Sequence, residues 1–146
     1  MVVIVNAIVK KIPKNAYRVI RSFVDSSKSI KYHWNLGVRI GNLVRFVKFG
    51  RWILKVFIAE KGLSIELEGY RTKIVYNPDL LLEISVGKEV VFKAESFEKI
   101  ATTYVESDGI FMEPLPLADL IDKFDFYINA VSMVLAQEQN KETNVN

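Results

Sequence analysis

The chain has 146 residues and a mass of 16.7 kDa, half of the residues are apolar, and the formal net charge is +3. This length predicts a single domain, and the absence of cysteine excludes disulfides, thiolate metal sites and a cysteine nucleophile. The one histidine, His33, excludes zinc clusters and leaves little room for histidine-based catalysis. We therefore expect no metal, no other cofactor and no enzymatic activity.

The charges are unevenly distributed along the chain. Residues 1–55 carry twelve basic side chains against Asp25 alone, a local charge of +11, and the remainder carries −8. No apolar run reaches the roughly 18 residues of a transmembrane helix. Near the N-terminus the basic residues follow the apolar run, whereas in a signal peptide they precede it. The sequence therefore predicts a cytoplasmic protein without a membrane span.

The N-terminal part predicts a strand followed by a helix. Residues 2–12 are rich in Val and Ile, which predicts a strand with partial cover on both faces. Pro13 suits a first helical turn, and apolar residues then recur at helical spacing up to the polar residues 25–27, where we expect the helix to end. A further helical turn is predicted over residues 30–34.

From residue 38 to residue 106 the apolar pattern changes to a period of two. In the segment 63–68, three aliphatic residues alternate with Ser64, Glu66 and Glu68, which predicts a strand with one apolar face, here called the dry face. Short turns separate the strands, so successive strands are antiparallel neighbours. We predict strands at about 38–49, 51–60, 63–70, 72–77, 80–86 and 89–106, with a break near Phe97.

The C-terminal part predicts one long amphipathic helix. A connector with Pro114 and Pro116 leads into a helical pattern over residues 117–137. We predict a single domain of residues 1–137, followed by a polar tail of residues 138–146. A helix of about 20 residues spans roughly 30 Å. Such a helix cannot cover the whole dry face, so a sheet curled around it leaves a cavity.

This order of elements resembles the helix-grip proteins related to START domains, also grouped as the SRPBCC or Bet v 1-like superfamily. The resemblance extends from Val2 to Gln137. The length and the Lys-, Ile- and Val-rich composition without cysteine are also similar to an archaeal family from thermoacidophiles proposed to carry fatty acids. The resemblance implies an α+β helix-grip fold, in which a curved antiparallel sheet of six to seven strands wraps around the C-terminal helix, with one or two short helices after the first strand. It also implies a cavity for long acyl chains.

We therefore predict a carrier of a hydrophobic small molecule, most simply a long-chain fatty acid or a related lipid. A densely filled core is the competing interpretation of the same apolar residues. A cyclase or lyase in the same cavity is a further alternative, for which the sequence offers no convergent polar groups. The predicted ligand-binding residues are Trp34, Trp52, Leu54, Val56, Ile65, Leu67, Ile74, Tyr76, Tyr104, Ile121, Phe124, Tyr127, Ile128 and Val131.

A buried fatty-acid carboxylate needs a polar partner, whereas a carboxylate left in water at the cavity mouth needs none. We place the mouth at residues 28–34, against residues 114–117. The candidate partners are the hydroxyls of Tyr76, Tyr104 and Tyr127 and the guanidinium groups of Arg39 and Arg45.

The basic N-terminal half supports a rival interpretation, a nucleic-acid surface of cations interleaved with aromatic rings. Lys55 is expected opposite Glu66 or Glu68, however, and such pairs cancel charge between neighbouring strands, so we expect no nucleic-acid partner. A basic edge meeting an acidic edge of a second copy would instead form a homodimer. The rival surface would use Arg18, Arg21, Lys28, Lys31, Arg39, Arg45 and Lys48 with Tyr17, Tyr32, Trp34 and Phe46.

Two acidic pairs have the spacing of candidate acid–base groups. Glu66 and Glu68 share the polar face of a strand, which predicts solvated surface. Asp119 and Asp122 lie at the start of the C-terminal helix, where they suit the helix dipole. Neither pair predicts a catalytic site.

Overall fold

The computed structural model describes residues 7–30, 43–60, 62–77, 81–107 and 113–144. These residues form an α+β fold with two sheets and, within the described ranges, three helices. In chain order the elements are β1 (Ile8–Ile12), α1 (Lys14–Ile30), β2 (Leu43–Phe49), β3 (Trp52–Ala59), β4 (Gly62–Gly69), β5 (Thr72–Asn77), β6 (Leu81–Val86), β7 (Glu89–Ala94), α2 (Phe97–Ala101), β8 (Thr103–Ser107), β9 (Leu115–Pro116) and α3 (Leu117–Asn144).

The larger sheet is an antiparallel meander of six strands in the order β2-β3-β4-β5-β6-β7. This confirms the predicted antiparallel strands, and β5 has the predicted bounds. The predicted break near Phe97 is also present, because α2 begins there. The hydroxyl of Ser96 accepts a hydrogen bond from the Lys99 N–H, which caps this short helix.

Strand β1 is not part of the larger sheet, so the expectation that all strands share one sheet was wrong. It pairs in parallel with β8, from Ile8 opposite Thr103 to Ile12 opposite Ser107, and β9 lies on the other side of β8. Because α2 separates β7 from β8, it takes the chain out of the meander and β8 starts a second sheet. The expected cover on both faces of β1 is also wrong for the described part, since only Ile12 is buried.

Two helices are longer than the sequence predicted. Helix α1 continues through residues 25–27 to Ile30, and Asp25 Oδ2 accepts a hydrogen bond of 3.0 Å from Arg21 Nε one turn earlier, which adds a small stabilisation to the helix. This carboxylate raises the pKa of Arg21. Helix α3 begins at Leu117 as predicted but continues to Asn144. The predicted turn at 30–34 and the strand residues 38–42 lie outside the described residues, apart from Ile30.

Both α1 and α3 cover the dry face of the larger sheet, whereas the sequence assigned this cover to the C-terminal helix alone. Phe23 of α1 packs edge-on against Trp52 of β3, and the two helices also contact each other. The absence of a side chain at Gly69 permits the close approach of Trp52, because a Cβ on Gly69 would lie 2.7 Å from the Trp52 Cβ. The core therefore lies between one sheet and two helices.

On the opposite face of the sheet, charges from the two halves of the chain meet. Lys55 lies opposite Glu66, and its Nζ is 3.3 Å from Glu68 Oε2. Lys73 Nζ is 3.6 Å from Glu66 Oε1. The prediction that acidic strand neighbours offset the basic N-terminal half is therefore confirmed at Lys55. Among the described residues, no helix is long and apolar enough to cross a membrane.

Candidate ligand site on the dry face

Three rows of side chains cross the dry face, since directly opposed residues of antiparallel strands share a face. Almost all members of the first two rows are buried. The rows are the arginine row (Arg45, Val56, Ile65, Tyr76, Leu82 and Ala94), the aliphatic row (Val47, Leu54, Leu67, Ile74, Ile84 and Phe92) and the turn row (Trp52, Gly69, Thr72, Val86 and Glu89).

Five aromatic rings join the two helices to these rows. Phe23 is central: its ring centroid lies 5.7 Å from that of Trp52, 5.1 Å from that of Phe124 and 6.0 Å from that of Tyr127. Tyr76 stacks on Phe124 at 5.9 Å. We call these five residues the aromatic cluster. It connects α1, α3, β3 and β5 through offset and edge-on ring contacts.

The structure brings most of the predicted ligand-binding residues together between the dry face and α3. Tyr104 lies elsewhere, on β8 of the smaller sheet, and Trp34 lies outside the described residues. The residues brought together are Trp52, Leu54, Val56, Ile65, Leu67, Ile74, Tyr76, Ile121, Phe124, Tyr127, Ile128 and Val131.

The sequence interpretation missed Phe23 and Asp125 as members of this site. Phe23 belongs to the apolar residues that recur at helical spacing after Pro13, and this spacing does not show that the helix packs on the sheet. Asp125 lies one residue after Phe124, so it borders the apolar stripe of α3 and reaches Tyr76. The stripe alone predicts neither contact, because both depend on where the helices lie across the sheet.

Two hydrogen bonds fix polar groups at the edges of the aromatic cluster. The Trp52 indole N–H donates to Ser22 Oγ at 2.9 Å, and the Tyr76 hydroxyl donates to Asp125 Oδ1 at 2.8 Å. Burial, and then this hydrogen bond, raise the pKa of Tyr76 well above its usual value. Burial raises the pKa of Tyr127 to about 12. Both hydroxyls therefore stay neutral near pH 7 and can donate hydrogen bonds there.

Arg45 is the one cation on the dry face among the described residues of the six strands, and it is 4% exposed. It lies opposite Val56, next to an irregularity between Leu43 and Arg45 that brings Val44 to the interior as well. Its Nη1 donates a hydrogen bond of 2.6 Å to the Val44 carbonyl. Of the two arginines considered as head-group partners, Arg45 is thus buried on the dry face, and Arg39 lies outside the described residues.

Neither acidic pair lies between the dry face and α3. Glu66 and Glu68 are each paired with a lysine on the outer face. Asp119 and Asp122 are exposed in the first turns of α3. Within the described ranges, no three His, Cys, Asp or Glu side chains are grouped closely enough to hold a metal ion. His33 lies outside those ranges.

The residues proposed for a nucleic-acid surface do not share one exposed face. Tyr17 is buried and its hydroxyl donates to the Glu113 carbonyl, and Arg45 is buried on the dry face. Arg18 and Arg21 are exposed on α1, whereas Lys48 is exposed on β2. The remaining members except Phe46, which is half-buried, fall outside the residues whose side chains are described.

Open depressions on the surface include two that are lined by described residues, and no residue of the aromatic cluster lines either of them. One, of about 490 Å³, is lined by Lys93, Glu95, Ser96 and Lys99 near α2. The other, of about 390 Å³, lies at the end of the larger sheet and includes Arg51, Arg71 and Lys73.

Comparison with known proteins finds no match: no family model, no curated protein and no solved structure is similar to this chain.

Proposed function

We propose that the protein has a helix-grip arrangement of the START-like kind and carries a hydrophobic molecule with an acidic head group between the dry face and α3. A long-chain fatty acid or a related lipid has this chemistry. The observation that carries the proposal is the burial of Arg45 on the dry face. A guanidinium group binds a carboxylate through two parallel charge-assisted hydrogen bonds, and Arg45 presents this group among the apolar rows that would hold the acyl chain.

The apolar rows supply the surface for the acyl chain. Burial of each methylene group contributes about 0.8 kcal/mol, so a chain of about a dozen carbons gains enough free energy to bind usefully. The chain would lie along the aliphatic row, with its carboxylate at Arg45. Because Tyr76 and Phe124 are stacked at 5.9 Å, ligand entry in this proposal moves α3 away from β5.

The first test is ligand extraction. The purified protein is examined by native mass spectrometry and its organic extract is analysed for lipids. We expect a copurifying acyl ligand, or, in the delipidated protein, displacement of a fluorescent fatty-acid probe by unlabelled fatty acid. A protein that carries no acyl ligand and does not bind the probe would contradict the proposal.

The second test asks whether Arg45 recognises the carboxylate. Arg45→Met removes the charge at similar length, Arg45→Lys keeps the charge, and Lys48→Met removes an exposed cation from the same strand as a matched control. Loss of a charge-assisted hydrogen bond, worth about 1.5–3 kcal/mol, weakens fatty-acid binding by roughly 10-fold to 100-fold in Arg45→Met.

The fatty alcohol of the same chain length separates this effect from damage to the fold. Arg45→Met should leave alcohol binding nearly unchanged, and Arg45→Lys should retain part of the preference for the acid. Lys48→Met should bind both ligands as the original protein does. Equal losses for acid and alcohol in Arg45→Met would show that Arg45 is structural and does not contact the head group.

A further inference from the structure

Three hairpin turns at one end of the larger sheet each carry a basic residue. In a meander, alternate turns lie at the same end, and here they join β2 to β3, β4 to β5 and β6 to β7. Neighbouring strands are about 4.8 Å apart, so these turns follow one another at intervals of about 10 Å. We call the five cations of these turns and their flanking strands the basic end: Lys48, Arg51, Arg71, Lys73 and Lys88.

The cations of the basic end are accessible and few carboxylates oppose them. All five are exposed. Within the part of the chain that the structure describes, only Lys73 forms an ion pair, with Glu66. Of the two other carboxylates nearby, Glu68 pairs with Lys55, and Glu89 is exposed directly after Lys88. The basic end therefore keeps a positive local charge.

The backbone holds Arg71 in an unfavourable conformation. Tyr70 and Arg71 have φ values of 51° and 62°, in the left-handed region that favours glycine or asparagine. The Gly87 N–H donates a hydrogen bond of 2.8 Å to the Arg71 carbonyl, which ties two neighbouring turns together. Backbone strain of this kind is concentrated at functional sites.

The guanidinium of Arg71 extends toward the next turn along the sheet end. A Cβ on Gly87 would lie 3.6 Å from Arg71 Nη2, so the guanidinium lies over the turn that also contains Lys88. Arg71 and Arg51 also line the depression of about 390 Å³, together with Lys73 and with Glu68, whose carboxylate is paired with Lys55. Like charges gathered in this way repel each other, and a bound anion removes the repulsion.

We propose that the basic end docks the protein onto an anionic membrane surface, with lipid phosphate groups at the depression between Arg51 and Arg71. A line of cations about 20 Å long matches a flat anionic surface. Tyr70, the aromatic residue of these turns, is half-buried and packs against the core, so only part of its ring is available for stacking on a base. The choice of a membrane over a nucleic acid also rests on the proposed function, since a lipid carrier must collect and deliver its cargo at membranes.

Vesicle binding tests this docking surface with the full chain. Flotation is measured with vesicles of phosphatidylcholine alone and with vesicles that contain phosphatidylglycerol. We expect binding only to the anionic vesicles, with a marked loss as the salt concentration rises. In the double variant Arg51→Gln/Arg71→Asn, the partition coefficient should fall about fivefold for each cation removed, or roughly 25-fold in total.

Two control variants make the outcome specific. Arg18→Gln/Lys99→Gln removes the same charge from exposed positions on α1 and α2, and Arg51→Lys/Arg71→Lys keeps the charge at the basic end. Both should bind anionic vesicles nearly as well as the original protein. An equal loss in Arg18→Gln/Lys99→Gln would overturn the proposal, because net charge would then explain the binding. Equal binding to neutral vesicles would overturn it as well.

Two further measurements separate this proposal from its alternatives. If the original protein binds an oligonucleotide more tightly than anionic vesicles, and Arg51→Gln/Arg71→Asn loses that binding, the basic end recognises nucleic acid and the membrane proposal fails. Binding of the fluorescent fatty acid in free solution is recorded for every variant and should be unchanged. Vesicle binding without probe binding would refute the carrier function alone, and probe binding without vesicle binding would refute the docking surface alone.

Discussion

The hydroxyl of Tyr76 donates a hydrogen bond of 2.8 Å to Asp125 Oδ1, and this bond joins β5 to α3. Tyr76→Phe should lower the free energy of unfolding by about 1–2 kcal/mol, because a half-buried carboxylate then loses its donor. Asp125→Ala should have a similar effect, and the double variant should cost less than the sum of the two. Urea denaturation measures all three.

Tyr104→Phe is the matched control for this pair, because the Tyr104 hydroxyl forms no hydrogen bond within the described residues. We expect its effect to stay within about 0.5 kcal/mol. Additive losses in the double variant would mean that Tyr76 and Asp125 do not stabilise each other.

Alkaline pH should destabilise the protein through Tyr127. Burial raises its pKa to about 12 in the folded state, above the value near 10 of an unfolded tyrosine. The unfolded chain therefore releases this proton first, so the contribution of Tyr127 to stability is constant below about pH 10 and falls as the pH rises from about 10 to about 12. The slope from one such group is at most about 1.4 kcal/mol per pH unit. Urea denaturation at several pH values measures it.

Tyr127→Phe isolates the contribution of this group. Its unfolding free energy should decline less steeply over the same pH range, although Tyr76 still contributes in the same direction. An unchanged slope in Tyr127→Phe would assign the alkaline loss to other groups.

The close approach at Gly69 predicts a costly substitution. A Cβ at this position would lie 2.7 Å from Trp52 Cβ and 2.9 Å from the Arg51 carbonyl oxygen, so β3 and β4 must move apart to admit it. We expect Gly69→Ala to lower the free energy of unfolding by about 1–3 kcal/mol, measured by thermal and urea denaturation. It should also change the fluorescence of Trp52.

Gly50→Ala provides a comparison without a steric clash. Gly50 has a φ of 63°, and no heavy atom lies within 4 Å of the position that an added methyl group would take, so only the backbone preference is lost. We expect a cost of about 1 kcal/mol. If Gly69→Ala is tolerated as well as a surface change, the strand spacing near Trp52 must be more adaptable than this geometry indicates.

The conformation of Arg71 predicts a variant that is more stable but less able to dock. Arg71→Gly removes the left-handed strain, which costs a residue with a Cβ about 1 kcal/mol, and should raise the free energy of unfolding by up to that amount. The same variant should bind anionic vesicles about fivefold more weakly. Denaturation and flotation of one preparation measure both effects, and a less stable Arg71→Gly would show that the turn is not strained.

The sequence predicted the six-stranded meander well because alternation and turn residues are local signals. Segment 72–77 is the clearest case, since polar turns bound it on both sides. The pairing of β1 could not be predicted, because a composition rich in Val and Ile does not specify which other strand a segment pairs with. The extension of α1 past Asp25 was not predicted because Asp and Ser have poor helix propensity, and the exposed pair of Arg21 with Asp25 adds only about 0.3–0.5 kcal/mol in favour of the helix.

The candidate site was predictable in composition but not in arrangement. The alternation of side chains along the strand predicted that Trp52, Leu54 and Val56 lie on the dry face, and the structure places them there. The central position of Phe23 depends on how α1 crosses the sheet, which periodicity does not specify. The basic end depends on meander topology in the same way, because Arg51 and Arg71 are separated by two strands in sequence and meet only at the sheet end.

The parallel pairing of Ile8 with Thr103 has a consequence for the order of folding. Each hairpin of the meander can form from neighbouring segments, whereas β1 has no partner until the chain has been made as far as β8. During synthesis β1 therefore stays unpaired until all strands of the larger sheet and β8 have been made. Closure of this long loop carries a higher entropic cost than any hairpin, so we expect the smaller sheet to form late.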